Sequence, residues 1–182
     1  MMKKVLFLPM LALSLSLMAE RIEPIPFGDM EQWAVRYIKE SKLLGGQTKT
    51  LYCLAPTDTI RKNAPYIFGQ NGNPWATSNA YANVAGIEKA AGTMTPEARE
   101  DGGTCCRLDV DMLSVKAFKI IDIQVLVSGT LFTGRNIEPI TTAADPYQNI
   151  DFGVPFTERP SALMFDYKCV IEQEGWYWYA KG

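Results

Sequence analysis

Histidine is absent from all 182 residues. That excludes Ser-His-Asp and Cys-His nucleophilic machinery within this chain and removes the commonest transition-metal ligand. Cysteine is scarce, at Cys53, Cys105, Cys106 and Cys169. The adjacent pair cannot bridge to itself without severe strain, and no cysteine-based metal site is expected. An even count still permits disulfides if the chain is exported. There is no Lys/Arg cluster, and the formal net charge is −2. A mildly acidic chain of this kind argues against nucleic acid or anionic membrane surfaces as partners. Internal repeats, low-complexity tracts and linker-like composition shifts are also missing.

What remains is the composition of a packed domain, 47% apolar and 21% charged. The first residues, MMKKVLFLPMLALSLSLMAE, place Lys3 and Lys4 before an apolar run from Val5 to Leu17. This is the layout of a secretory signal peptide over residues 1–19, and the run is too short for a membrane span. Leu17 departs from the small-residue rule at the −3 position. Removal of the leader leaves 16 basic against 20 acidic side chains. The nearest cysteine is Cys53, so no acylated cysteine follows the leader. The expectation is a protein of the periplasm or cell exterior without a lipid anchor or membrane insertion, with residues 20–182 as one domain.

Period-two alternation dominates the mature part. Trp33, Val35 and Tyr37 share one strand face, although Met30, Trp33, Ala34 and Tyr37 also fit a helix. A hairpin turning at Lys42–Gln47 into a strand at Thr50–Ala55 satisfies both hydrophobic runs. Cys106, Leu108, Val110 and Met112 form an inward face, with Cys105, Arg107, Asp109 and Asp111 outward. Lys119 to Phe132 alternates in the same way. So does the segment from Leu163, in which Leu163, Phe165, Tyr167, Cys169 and Ile171 share a face. Pro56 to Gly103 is too long for a structureless connection and holds either short strands or ordered loops over a sheet face, with Thr95–Arg99 able to start one helical turn, and Gly134 to Ile150 reads as a loop. Many strands and no long helix predict an all-β, antiparallel β-sandwich. The ending WYWYAKG reads as a strand entering a sheet, so the sandwich is expected to need strands beyond Gly182.

Several strings add a resemblance. PIPFGDMEQW (24–33), ESKLLGG (40–46), TPEARE (95–100), CCRLDVDM (105–112), IDIQVLVSGTLFTG (121–134) and GVPFTERPSALMFDYK (153–168) occur in order. In wording and spacing the chain resembles the putative carbohydrate metabolism domain of exported Bacteroidetes proteins. The resemblance implies a jelly-roll-like sandwich concerned with polysaccharide use, and it carries no catalytic residues over. The Cys105-Cys106 pair stands where a cysteine–alanine pair is more typical of the family.

Glycan readers use aromatic faces against sugar C–H surfaces, with planar polar groups at the rim. Trp75 lies in the amide-rich string GQNGNPWATSN, so it is a candidate platform with Asn73 and Asn79 reading hydroxyls; equally, it could plug the end of the sandwich. Trp176 and Trp178 would lie about 7 Å apart on one strand face, suited to neighbouring rings or to core packing. Asp109, Asp111 and Asp122 are the weak catalytic candidates, since glycosidases need carboxyl pairs roughly 5–9.5 Å apart. A solvated face paired with Arg107 explains the same acids. Glu97, Glu100 and Asp101 beside Gly102-Gly103 offer oxygens for a structural calcium. The leading expectation is a non-catalytic module that binds polysaccharide or oligosaccharide. A glycoside hydrolase or lyase and a protein-contact or adhesion module are the alternatives.

Overall fold

A computed structural model of the chain describes residues 21–117, 121–142 and 145–170. The leader and the Trp176/Trp178 strand lie outside these residues. The described part is all-β and antiparallel, in keeping with a β-sandwich. The first ribbon pairs β1 (Trp33–Lys39) with β2 (Thr48–Leu54). Their connection contains one 3-10 turn, Lys42–Leu44, which Gly45 ends at a φ of 102°. The expected hairpin is therefore formed, because strand propensity and the Gly45-Gly46 turn agree.

The turn-rich stretch after Pro56 takes the first of its two alternatives, a series of short strands. Short β3 (Tyr66–Phe68) and β4 (Trp75–Thr77) precede a hairpin of β5 (Ala80–Val84) and β6 (Ile87–Ala91). Ala85 and Gly86, with φ of 51° and 82°, form its two-residue turn. Two successive positive φ values are the type I′ signature that matches strand twist. Next come β7 (Met94–Ala98) and β8 (Thr104–Leu108), also paired. The expected helical turn at Thr95–Arg99 is thus a strand, with Pro96 opposite Cys106. Proline is tolerated there because β7 has a single ladder partner among the described strands.

The β9 (Val110–Ala117) and β10 (Ile121–Ser128) strands make a further two-stranded ribbon. The sequence expects one continuous strand through Cys105–Met112. Asp109 interrupts it, donating its N–H to Thr93 O and accepting from Gly129 N–H. The expected inward face is corrected too. Leu108 at the end of β8 and Val110 and Met112 of β9 are all more than a third exposed, and of that face only Cys106 is half-buried.

The strand β11 (Leu131–Glu138) is the hub. It pairs with β4 at Leu131–Thr133, with β3 at Asn136–Glu138 and with β12 (Ile150–Phe152) at Gly134–Asn136. Sequence pattern assigns its second half to a loop because Gly134, Arg135 and Asn136 weaken the strand signal. Crowding explains Gly134: a β-carbon there would overlap the Asp151 carbonyl, and one on Gly69 would overlap the carbonyl of Gly134. Beyond β12 the segment 153–170 has no regular secondary structure. The strand expected from Leu163 is not formed. Leu163, Phe165 and Tyr167 are exposed, as are Met164 and Val170, and no ladder partner pairs with them among the described residues.

The hydrophobic centre is small: Leu51, Tyr81 and Ala90, with Ile38 against them. Buried polar clasps carry much of the remaining cohesion. Asn79 Nδ2 donates to the carbonyls of Tyr52 at 2.9 Å and Met94 at 2.8 Å. Its Oδ1 accepts the N–H groups of Thr93 and Met94, both at 3.0 Å. One carboxamide thereby joins β2 to the β6–β7 region with every donor and acceptor used. Asn79→Ala should strand several buried main-chain groups and cost about 3–5 kcal/mol, measured by urea unfolding. A loss below about 1 kcal/mol would show that water replaces the clasp.

Candidate functional site

A cleft of about 300 Å³ opens beside β1. Arg36, Tyr37, Ile38 and Lys39 line one side, and Ile60, Arg61, Lys62 and Tyr81 the other. Four consecutive β1 residues take part, so the cleft follows the strand's edge and not one of its faces. Among the described strands β1 pairs only with β2, which leaves its outer edge open. A tight turn supplies the opposite rim. Ala64 N–H closes back on Arg61 O at 3.3 Å, with Asn63 at a φ of 59°. Asparagine tolerates that left-handed conformation, and the turn places Arg61 and Lys62 in the wall.

Behind the cleft sits Glu138, 2% exposed. Its Oε1 accepts the Tyr81 N–H at 2.9 Å, and Oε2 lies 2.7 Å from Arg36 Nη1. The latter is an ion contact whose angle falls short of a hydrogen bond. Arg36 is further held over the Phe68 ring, 5.5 Å from its centre. Burial pushes the Glu138 carboxyl above its ordinary value of 4.5, while Arg36 and the Tyr81 N–H pull the other way. Cys53, buried beside Arg36, has its thiol raised, first by desolvation.

A second network borders the wall. Tyr81 Oη lies 2.8 Å from both Asn63 Oδ1 and Glu88 Oε1, so its one proton serves either acceptor. Burial, then Glu88, raises the Tyr81 phenol. Lys62 Nζ stands 3.0 Å from Glu88 and, with the Tyr81 hydroxyl, holds that carboxylate below its usual value. The arrangement is a cation-rimmed cleft with an apolar floor of Ile38 and Ile60, fixed from behind by a buried ion pair. Glu138 stands in IEPI (137–140), a string that contributes to the family resemblance but gives no signal of a functional site.

The residues singled out by sequence lie elsewhere. Asn73 is buried, with Nδ2 donating to Leu54 O and Ala55 O and Oδ1 accepting from Trp75 N–H. Asn79 is saturated by main chain, as described. Both amides are internal struts, which corrects the expectation that they face a ligand. Trp75 is half-buried and donates its indole N–H to Pro26 O at 2.8 Å. With Trp33, whose indole N–H reaches Met30 O at 2.6 Å, it straps the lead-in segment down. Asp109 accepts from Arg107 Nε at 2.8 Å, Asp111 is exposed, and Asp122 stands opposite Lys116 in the ladder. Two of the three acids considered for calcium pair with arginines: Asp101 with Arg99, and Glu97 with Arg107. No group of three potential metal ligands assembles among the described residues. All four cysteines are free thiols, and burial with neighbouring Cys105 pushes Cys106 up to about 12.

Two outcomes follow from Glu138. Glu138→Ala leaves a buried guanidinium unpaired and should cost about 3–5 kcal/mol, whereas Arg36→Met with Glu138→Leu should recover most of it. The pH dependence has a definite sign. With a raised folded pKa, the folded state holds the proton more tightly than the unfolded chain. The contribution of Glu138 to stability is therefore full below 4.5 and falls as pH climbs through the raised midpoint. The difference in unfolding free energy between wild type and Glu138→Gln should decline over that window. A flat difference would place the carboxyl in a water-like setting.

Comparison with known proteins supplies one assignment. No curated protein and no solved structure matches the chain. A family model described as "Putative carbohydrate metabolism domain" matches residues 57–182. The matched segment includes Arg61, Lys62, Tyr81 and Glu138, while β1 and β2 precede it. The chain belongs to the putative carbohydrate metabolism domain family.

Proposed function

We propose that this chain is an exported glycan-binding β-domain that holds its ligand in the cleft beside β1. The observation that carries this reading is Tyr37, a residue 73% exposed on a strand that lines the cleft. An exposed aromatic face next to a recess lined with donors is the arrangement that sugar C–H surfaces and hydroxyls require. Lys39, Arg61 and Lys62 supply the donors, and Ile38 and Ile60 give an apolar floor. Family membership supports a carbohydrate role. The Lys3-Lys4 charge and apolar run at the N-terminus support export.

The site thus moves from Trp75, Asn73 and Asn79 to the edge of β1. The two asparagines have no hydrogen-bonding capacity directed outward, and the indole N–H of Trp75 is committed to Pro26. Binding requires no carboxyl chemistry, so the reading stands without Asp109, Asp111 or Asp122.

Affinity gels containing plant, host and microbial polysaccharides, with the same samples assayed for released reducing ends, test the proposal. At least one glycan should retard the protein without sugar release. Tyr37→Ala should weaken that retention about tenfold and leave the melting temperature within a degree or two, since the ring buries little. Retention indifferent to Tyr37→Ala would remove the cleft from the binding site, and release of reducing ends would replace binding with hydrolysis.

A further inference from the structure

The charge around the cleft is unbalanced in a chain that is acidic overall. Arg36, Lys39, Arg61 and Lys62 line it, against Glu88 and Glu138 in contact with its wall. Four cations facing two carboxylates leave two positive charges at one spot of a molecule whose net charge is −2. The pairing is also uneven. Glu138 holds Arg36 at 2.7 Å and Glu88 holds Lys62 at 3.0 Å. Lys39 and Arg61, both exposed, have no ion-pair partner among the described residues. These two cations stand on opposite walls, one on β1 and one on the Arg61–Ala64 turn.

Unpaired cations converging on a recess concentrate anions there and raise their rate of encounter. A volume of about 300 Å³ is at the small end of ligand sites and suits a sugar unit, not a nucleic acid duplex. Arg61 presents a planar fork that matches the paired oxygens of a carboxylate or sulfate, and Lys39 adds a point charge. The Tyr37 ring beside them gives the apolar contact that distinguishes a sugar from a bare anion. We propose that the cleft selects an acidic glycan, one whose sugar units carry carboxylate or sulfate, with Lys39 and Arg61 as the charge-reading residues. This inference rests on the glycan-binding reading above and narrows its ligand class.

Matched probes that differ only in charge decide it. Oligogalacturonate is compared with its full methyl ester, and dextran sulfate with dextran, by titration calorimetry at low and at physiological salt. Each exposed ion contact changes affinity by up to about fivefold, so two contacts should separate acid from ester by about tenfold. The gap should shrink as salt rises. Lys39→Ala with Arg61→Ala should abolish the gap without lowering the melting temperature, and Lys39→Arg with Arg61→Lys should keep most of it. Preference for the uronate pair alone assigns carboxylate, and preference for the dextran sulfate pair assigns sulfate; either supports the proposal. Equal binding of acid and ester, and of sulfated and plain dextran, overturns it while leaving glycan binding intact. No binding of any acidic or neutral glycan by folded protein overturns both readings. Single-stranded DNA bound as tightly as the acidic glycan would show a general polyanion patch and also overturn the proposal.

Discussion

The buried carboxylate of Glu138 ties together parts of the chain that share no ladder. It ends β11, meets Arg36 of β1 through Oε2, and accepts the N–H of Tyr81 on β5 through Oε1. Those strands belong to three different sheets. Ile140 adds main-chain bonds to the same place, with its N–H on Tyr81 O and its carbonyl receiving Asn83 N–H. The relative placement of the β1 edge and the Tyr81 wall, and hence the cleft itself, depends on this junction. A buried charge pair is an expensive way to make a joint, since desolvation opposes both partners. The hydrogen bond from Tyr81 N–H to Oε1 adds a directional demand, which a sliding apolar contact would not.

The same logic runs through the rest of the molecule. The apolar cluster of Leu51, Tyr81 and Ala90 is small, and polar side chains bridge the ribbons in its place. Asn79 and Asn73 clasp main chain from three directions each. Glu40, also buried, accepts the Ala90 N–H at 3.2 Å and pairs with Lys89 at 3.0 Å. Short two-stranded ribbons cannot satisfy all their edge groups by pairing, so side-chain amides and carboxylates complete the accounting. A fold held in this way keeps exposed strand edges, and the binding cleft proposed here lies along one of them.

Much of the architecture is legible from local pattern. The hairpin of β1 and β2 shows in the alternation of Trp33, Val35 and Tyr37 and in Gly45-Gly46. The β9–β10 ribbon shows in Val125 and Val127. Each signal is carried by neighbours two residues apart, which any strand must display. Other assignments fail for equally specific reasons. Gly134 disguises the hub strand because crowding by the Asp151 carbonyl of β12 selects a residue that local propensity disfavours. Leu163 to Tyr167 has a strand's alternation, yet alternation alone supplies no partner to pair with.

The candidate site was the least legible part. Asparagines near Trp75 suggest a polar surface, and burial with full hydrogen bonding turns them into struts. Arg36 and Glu138 are unremarkable until the chain brings them within 2.7 Å. The β character, the mild acidity, the lack of histidine and the family can all be read from the residues in order. Which polar groups are buried, and which strand edge and cations among the described residues lack partners, depends on the folded chain. Composition and periodicity are properties of neighbours along the chain, whereas burial and pairing are set by residues that meet only after folding.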